Sequence, residues 1–527
     1  MMRDFHFPGR SPTIASEGMA ATSHPLASLA AIETLKAGGT AADAAVAAVA
    51  LLCVVEPHMT GIGGDCFCLV AKPGQKLWGY NGSGRSAAAA NTDKLIAQGI
   101  RAIGLDSIHA VTVPGAVEAW AAILKTHGRF GLDRALAGAI RHAEQGFPVA
   151  PRIASDWALA VTKLKADPGA ARHYLASGRA PAAGDVWKLP ALAATLTAIA
   201  TRGPQAFYEG EIARDIVATL AARGGLLTEE DFARHHGEPA GPIATNYRGL
   251  DVVEMPPNGQ GLAALVLLNI LETFDFSGLD PSGPERLHVL LEAGRLAYAV
   301  RDAHVADPAA MRVRVPALLD KMFAKGLAGR IDRDKCADIP RTLTPGSDTA
   351  LVTVIDRDRN AVSIINSLYA AFGAGIATEK TGIMLQNRGA CFVVEPDHPN
   401  TIGPSKRPMH TIIPALGLRG GRCELTFGVM GGGYQAMGHA HLVSNMLDYG
   451  MDVQAAIDAP RCFCEGGKTV IERGIPAATA DGLARRGHDL TVRPQPYGGG
   501  QAIRIDWDRG VLIGGSDPRK DGCALGY

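Results

Sequence analysis

Asp348-Thr349 stands where a threonine could do more than begin a strand. In the stretch PGSDTALVTVIDRDRNAVSIINS (345–367), residues 350–355 read as a strand, 356–360 as a polar reversal and 361–365 as the returning strand. Two readings of its opening follow. Gly346-Ser347-Asp348 is ordinary turn chemistry and Thr349 merely starts a strand, or Thr349 becomes a new chain end and acts as a nucleophile. Two glycine clusters, Gly61-Ile-Gly-Gly64 and Gly428-Val-Met-Gly431-Gly432-Gly433, each follow an apolar run. Glycine after a strand lets the backbone aim N–H groups into a site, which is how an oxyanion hole is built, although a tight turn is its commoner use.

Other chemistries find no support. Neither glycine cluster matches a dinucleotide fingerprint or a P-loop with its lysine. Gly82-Ser83-Gly84 lacks the spacing of a nucleophile elbow, and no HExxH is present. Cys66-Phe-Cys68 and Cys462-Phe-Cys464 invite a zinc reading. On a strand, however, that spacing simply puts two small apolar side chains on one face, and no histidine spacing flanks them.

The elements that would position these residues change in texture along the chain. Before Thr349 helices dominate. Ser23-His24-Pro25 opens one that Gly38-Gly39 closes, and Thr40-Ala-Ala-Asp43 is a capping box for the Ala-rich run 41–55. Helical patterns follow at 116–125, 132–145, 189–201, 211–223 and 261–274, with a second capping box at Thr228–Asp231 and a short strand at 251–255. After Thr349 hairpins dominate: 350–355 with 361–368, 411–418 with 423–430, and 501–506 with 511–514, with a helix at 438–447. Antiparallel hairpins with interleaved helices predict an α+β fold of stacked sheets covered by helices, with no clean domain boundary.

Composition narrows the function classes. The 527 residues are 47% hydrophobic, with 52 basic and 52 acidic side chains, so nothing argues for nucleic acid or an anionic membrane as partner. Nine cysteines without secreted-type spacing, and an opening MMRDFHFPGRSPTIASEG without an apolar core, predict a reducing, cytoplasmic setting. The run 41–55 is too short to span a bilayer.

Taken in order, many segments resemble the gamma-glutamyltransferase family of N-terminal-nucleophile (Ntn) hydrolases. They are LKAGGTAADAAVAAVALLCVVEPHMTGIGGDCF, AVTVPGAVEAW, YEGEIARDI with GGLLTEEDFARH, DTALVTVIDRDRNAVSIINS, FGAGI, TGIMLQNRG, KRPMHTIIP, GVMGGG, DAPR and GGSDPRKDGCALGY. The likeness covers nearly the whole chain. It implies a precursor that cuts its own Asp348–Thr349 bond into chains 1–348 and 349–527. The two would stay together in one four-layer αββα sandwich, and dimers of that pair are left open. A secondary hydroxyl is a poor nucleophile without a base beside it, and a freed α-amine titrates near neutrality, so the cut would put nucleophile and base on Thr349. Carried over by position, Gly431 and Gly432 match the oxyanion pair, and Ser367 stands where a threonine usually meets the new amine. Thr353 holds a position usually serine or threonine, with a plain strand hydroxyl as its other reading. The resemblance implies no metal and no organic cofactor.

Departures from the family pattern carry the substrate expectation. Ser83 stands about where an arginine holds the γ-glutamyl carboxylate, with Arg85 two residues on, and Ala390 and Cys391 replace an acidic pair. Tyr369 replaces an asparagine, and His410-Thr411 a serine pair. Without the acids nothing offsets the desolvation of a substrate ammonium. Arg388, His410, Tyr369 and Arg85 instead suit a small anionic amide, because arginine forks a carboxylate. LQNRG and KRPMHTIIP resemble the subgroup containing oxamate amidohydrolase, whose substrate joins a carboxylate to an amide. A γ-glutamyl hydrolase or transferase, a β-lactam side-chain acylase and a non-catalytic binding protein are the alternatives.

Overall fold

The computed structural model describes residues 9–337 and 348–527. The turn expected at Gly346-Ser347 lies outside the described residues. Two seven-stranded sheets form the centre. In the first, Asp348–Ile355 lies between Met19–Thr22 and Ala361–Tyr369, and Asp65–Ala71 and Trp78–Gly82 follow on that side. The second is centred on Ala415–Arg419, Arg422–Met430 and Gly499–Asp506, with Leu250–Glu254 on one side and Val511–Ser516 on the other. Pairing within both is antiparallel.

Alternation along the strands sorts their side chains into three apolar layers. Ala350, Val352 and Val354 face one way, into a cluster with Cys66, Cys68 and the helix Ala41–Val55. Leu351 and Ile355 face the other, where Phe67, Leu69, Met430 and Ile503 fill the space between the sheets. Phe427 and Val429 point from the second sheet onto the helices Gly261–Leu271 and Pro284–His304. Period-two strands with both faces apolar require cover on both sides. The helices Ala41–Val55 and Gly261–Leu271 are buried all round, as central cover must be. The result is the expected αββα sandwich. Across its middle, Thr426 Oγ1 donates to the Val362 carbonyl and Ser363 Oγ to the Phe427 carbonyl, both at 3.1 Å.

Both capping boxes form, at Thr40 and Thr228. Cys66 and Cys68 are core side chains, as the strand spacing predicted. Among the described residues no helix is long and apolar enough to cross a membrane.

Two boundaries differ near the site. The strand expected from 411 starts only at Ala415, because side chains satisfy the preceding backbone. The Thr411 carbonyl accepts from Gln260 Nε2 at 2.7 Å, and the Ile413 N–H donates to Gln435 Oε1 at 3.2 Å. The helix expected from 438 begins at Gln435, straight out of a short turn at Gly432–Tyr434.

Candidate active site

Thr349 occupies an irregularity in its strand. Ala350 pairs with Asn366 and Ile355 with Ala361, but Asp348 pairs with Tyr369, so the register shifts across Thr349. Such shifts re-aim a side chain and end a ladder. The Thr349 side chain is fully buried, with its Oγ1 3.1 Å from Ser367 Oγ and receiving Gln435 Nε2 at 3.3 Å. Ser367 Oγ also accepts the Tyr369 N–H at 2.9 Å and Arg388 Nη2 at 3.3 Å. Between Ser367 Oγ and Thr349 Oγ1 either hydroxyl can donate.

Arg388 leads the short turn Arg388–Cys391 and is completely buried. Its Nη1 donates to Thr411 Oγ1 at 2.7 Å, and its Cζ lies 4.4 Å from the centroid of the Tyr369 ring. Tyr369 takes a left-handed backbone (φ 82°) in doing so. Arg388 Nε has no hydrogen-bond partner, and among the described residues no carboxylate pairs with this guanidinium. A buried charge held only by hydroxyls and a ring face is costly unless an anion completes it.

Asp65 is the nearby carboxylate, but its oxygens are engaged elsewhere. Oδ1 accepts the Gly84 and Gly115 N–H groups and Gln386 Nε2, at 3.0, 3.1 and 2.9 Å, and Oδ2 meets His410 Nε2 at 3.1 Å. Burial alone would raise this carboxyl. The His410 bond, the Arg388 charge and the Gln386 bond hold it below its usual value. His410 is pushed down to about 3 by burial and by Arg388. Its Nδ1 accepts the Ile412 N–H at 3.3 Å, so the ring is neutral with its proton on Nε2. The expectation that His410 adds a positive or donor group to the pocket therefore fails: both ring nitrogens are committed, and the residue braces Asp65.

Gly431 and Gly432 end the strand Arg422–Met430 with φ of 128° and 55°, values that favour glycine. A Cβ on Gly431 would stand 2.9 Å from Gly498 Cα. Gly432 O accepts Gln260 Nε2 at 2.9 Å, and Arg301 Nη1 holds Gln260 Oε1 at 2.7 Å. Gln435, three residues on, reaches Thr349, so this turn lies beside the threonine.

The expected residues do not all converge. Thr349, Ser367, Tyr369, Arg388 and Thr411 form one connected cluster. Arg85 is drawn away: its guanidinium is divided between Glu238 at 2.9 Å, Asp307 at 3.3 Å and the Ser405 carbonyl at 3.3 Å. Ser83 bonds to Asn81 Oδ1 at 2.6 Å. Thr353 is buried further along the strand, its hydroxyl without a partner. Gln435, Gln386 and Asp65 were not anticipated. Asp65 directly follows the first glycine cluster and Gln435 nearly follows the second, so each lay beside a signal already noted.

A cleft of about 350 Å³ opens between Ala370-Ala371 and the segment ending at Tyr497-Gly498. Because Gly498 packs on Gly431, this cleft adjoins the glycine turn. Arg152, Lys163, Arg493 and Lys520 line it against a single acid, Asp156.

Comparison with known proteins places this arrangement. A family model described as gamma-glutamyltranspeptidase matches residues 27–527. A glutathione hydrolase-like YwrD proenzyme of Bacillus subtilis is 41% identical, over 97% of this chain and 99% of that protein. The oxamate amidohydrolase proenzyme of Klebsiella pneumoniae is 34% identical, over 98% of this chain and 100% of that one. A cephalosporin acylase from Bacillus halodurans superposes with a TM-score of 0.92 at 39% identity, covering 100% of this chain and 99% of that one.

Proposed function

This chain belongs to the gamma-glutamyltranspeptidase family of Ntn hydrolases, and from that premise we propose that it is a self-cleaving threonine amidohydrolase acting on a small amide that carries a carboxylate. Thr349 Oγ1 first attacks the Asp348 carbonyl carbon. The peptide nitrogen leaves with a proton as the new α-amine, and water hydrolyses the ester. Chains 1–348 and 349–527 remain associated through strands that both contribute to each sheet. In turnover the free amine takes the Thr349 hydroxyl proton as Oγ1 attacks the substrate amide, then gives it to the departing nitrogen. Gly431 and Gly432 N–H groups hold the oxyanion, and water resolves the ester with the amine again as base. Ser367 and Gln435 orient Oγ1.

The observation that carries the substrate class is Arg388, a buried guanidinium one hydroxyl away from Thr349 with an unused Nε and, among the described residues, no carboxylate of its own. A carboxylate adjacent to the scissile amide, as in oxamate, would complete it. All nine cysteines are free, which accords with a reducing compartment.

The test compares turnover of oxamate, its uncharged diamide and γ-glutamyl-p-nitroanilide by wild type and Arg388→Gln. We expect oxamate to be preferred and the variant to lose roughly tenfold to a hundredfold in kcat/KM on the anion alone. Equal loss on the diamide would remove Arg388 from substrate binding. The basic cleft favours a second reading, a bulkier dicarboxylic acyl group, because about 350 Å³ is the scale of drug-sized ligands. Faster release of glutaryl than oxalyl amides would select it.

A further inference from the structure

Apart from the Thr349 cluster, His288, Cys336 and His488 bring two imidazoles and a thiol together, with their ligand atoms all within 4.8 Å of one another. We propose that these three residues form a binding site for a divalent transition metal of the zinc type.

His288 is wired as a metal ligand, and His488 becomes one when its proton moves to the outer nitrogen. His288, on the helix Pro284–His304, donates its outer Nε2–H to the Asp332 carbonyl at 2.7 Å. His488 has its outer Nδ1 on the Thr469 hydroxyl at 3.0 Å. Their inner nitrogens, His288 Nδ1 and His488 Nε2, face each other at 2.8 Å. Outer-nitrogen bonds of this kind fix the tautomer and aim of metal-bound histidines. The rings stand at 76°, so neither stacks over the other's edge. Backbone bonds hold the cysteine segment in place. Cys336 N–H donates to the Arg486 carbonyl and Ala337 N–H to Glu292 Oε2, both at 2.7 Å, while Arg295 Nη1 reaches the Ala337 carbonyl at 3.1 Å.

A tetrahedral ion with metal–nitrogen bonds of about 2.0 Å needs its nitrogens about 3.3 Å apart, so the rings must part by only about half an ångström. Two imidazoles and one thiolate suit zinc or cobalt, with the fourth position left to solvent. Protons balance simply. The His488 proton now pointing at His288 moves to Nδ1, where Thr469 turns to accept it, and the Cys336 thiol releases one proton to solvent.

The ligands converge in the uncut chain. If it is cut as proposed, His288 and Cys336 belong to the large chain and His488 to the small one. The ion would then clip the two chains together a short distance before the large chain's new end.

The test uses the full protein stripped with a chelator and titrated with Co²⁺ and Zn²⁺. We expect one ion per 527-residue chain, a thiolate-to-cobalt absorption band and a raised thermal midpoint. Cys336→Ser should abolish the band, and Cys336→Ser and His488→Gln should each weaken binding at least about tenfold. Thr349→Ala, kept whole, should bind one ion as before, which separates this proposal from the cleavage reading. Absence of stoichiometric binding in wild type, or a band that survives in Cys336→Ser, would overturn it.

Discussion

Thr349 and Arg388 share Ser367 as an intermediary, so their charges are coupled across one hydroxyl. Removing the Thr349 hydroxyl should leave an uncut chain: intact mass under denaturing conditions should give two fragments for wild type, the smaller starting at Thr349, and one for Thr349→Ala. A wild type that stays whole would end the nucleophile assignment. The amine freed by the cut has an ordinary pKa of about 7.7–8.0. A buried guanidinium beside it disfavours the ammonium form, so the acid limb of kcat/KM should lie below that range, with activity rising as pH rises through it. Arg388→Gln should move the limb upward, and an unmoved limb would show that the two groups do not interact. That Thr349, Ser367, Arg388, Tyr369 and Thr411 meet in one cluster accords with their places in ordered motifs, which can be matched one by one. Arg85 and His410 were misjudged for a physical reason. Charge and donor capacity can be read from a residue type, but whether Glu238, Asp307 or Asp65 already consumes them is settled only by packing.

The elements around the threonine depend on backbone approach more than on side-chain bulk. A Cβ on Gly64 would fall 2.3 Å from the Ser367 carbonyl oxygen, between the first glycine cluster and the strand that carries the hydroxyl partner of Thr349. Gly64→Ala must therefore displace Ser367 or the preceding turn, at a cost of about 1–3 kcal/mol. We expect slower self-cleavage, followed by the fraction of uncut chain against time, together with a lower thermal midpoint. Cleavage at the wild-type rate would mean that the turn yields without moving Ser367. The glycine clusters were visible in the sequence, and so were the hairpins and both capping boxes, because each depends on neighbours a few residues away. The late start of the strand at Ala415 was not visible. Gln260 and Gln435 replace its expected ladder partners there, the first from a distant part of the chain and the second from the helix that follows the partner strand. The strand Met19–Thr22 was likewise hidden in the helix-rich part, since its partners on both sides lie hundreds of residues away, whereas Trp78–Gly82 forms a local hairpin with Asp65–Ala71.

At the scale of the whole sandwich, several histidines are buried neutral. His410 and His439 are pushed down to about 3, and His24 and His235 to about 4, in each case chiefly by burial. His439 illustrates why the fold keeps the proton off. Its Nε2 accepts the Val429 N–H at 3.0 Å and its Nδ1–H meets Glu254 Oε1 at 2.7 Å, bracing the strand that ends at the glycine turn. Below about pH 6.5 the unfolded chain binds protons that these folded groups refuse, so each removes about 1.4 kcal/mol per pH unit as pH falls toward its folded value. Glu56 and Glu254 act in the opposite sense. Burial raises their carboxyls, so their contribution is complete below the ordinary carboxyl value and is lost as pH rises. Across the described residues more histidines are pushed down than acids are pushed up, so stability falls toward acid between about pH 6 and 5. Unfolding midpoints in urea, taken at pH 7, 6 and 5 on Thr349→Ala so that chain separation does not intervene, should fall at each step. A midpoint that holds or rises toward pH 5 would mean that these histidines accept protons in the fold, and the neutral His410 that leaves Asp65 ionised beside Arg388 would have to be abandoned with them.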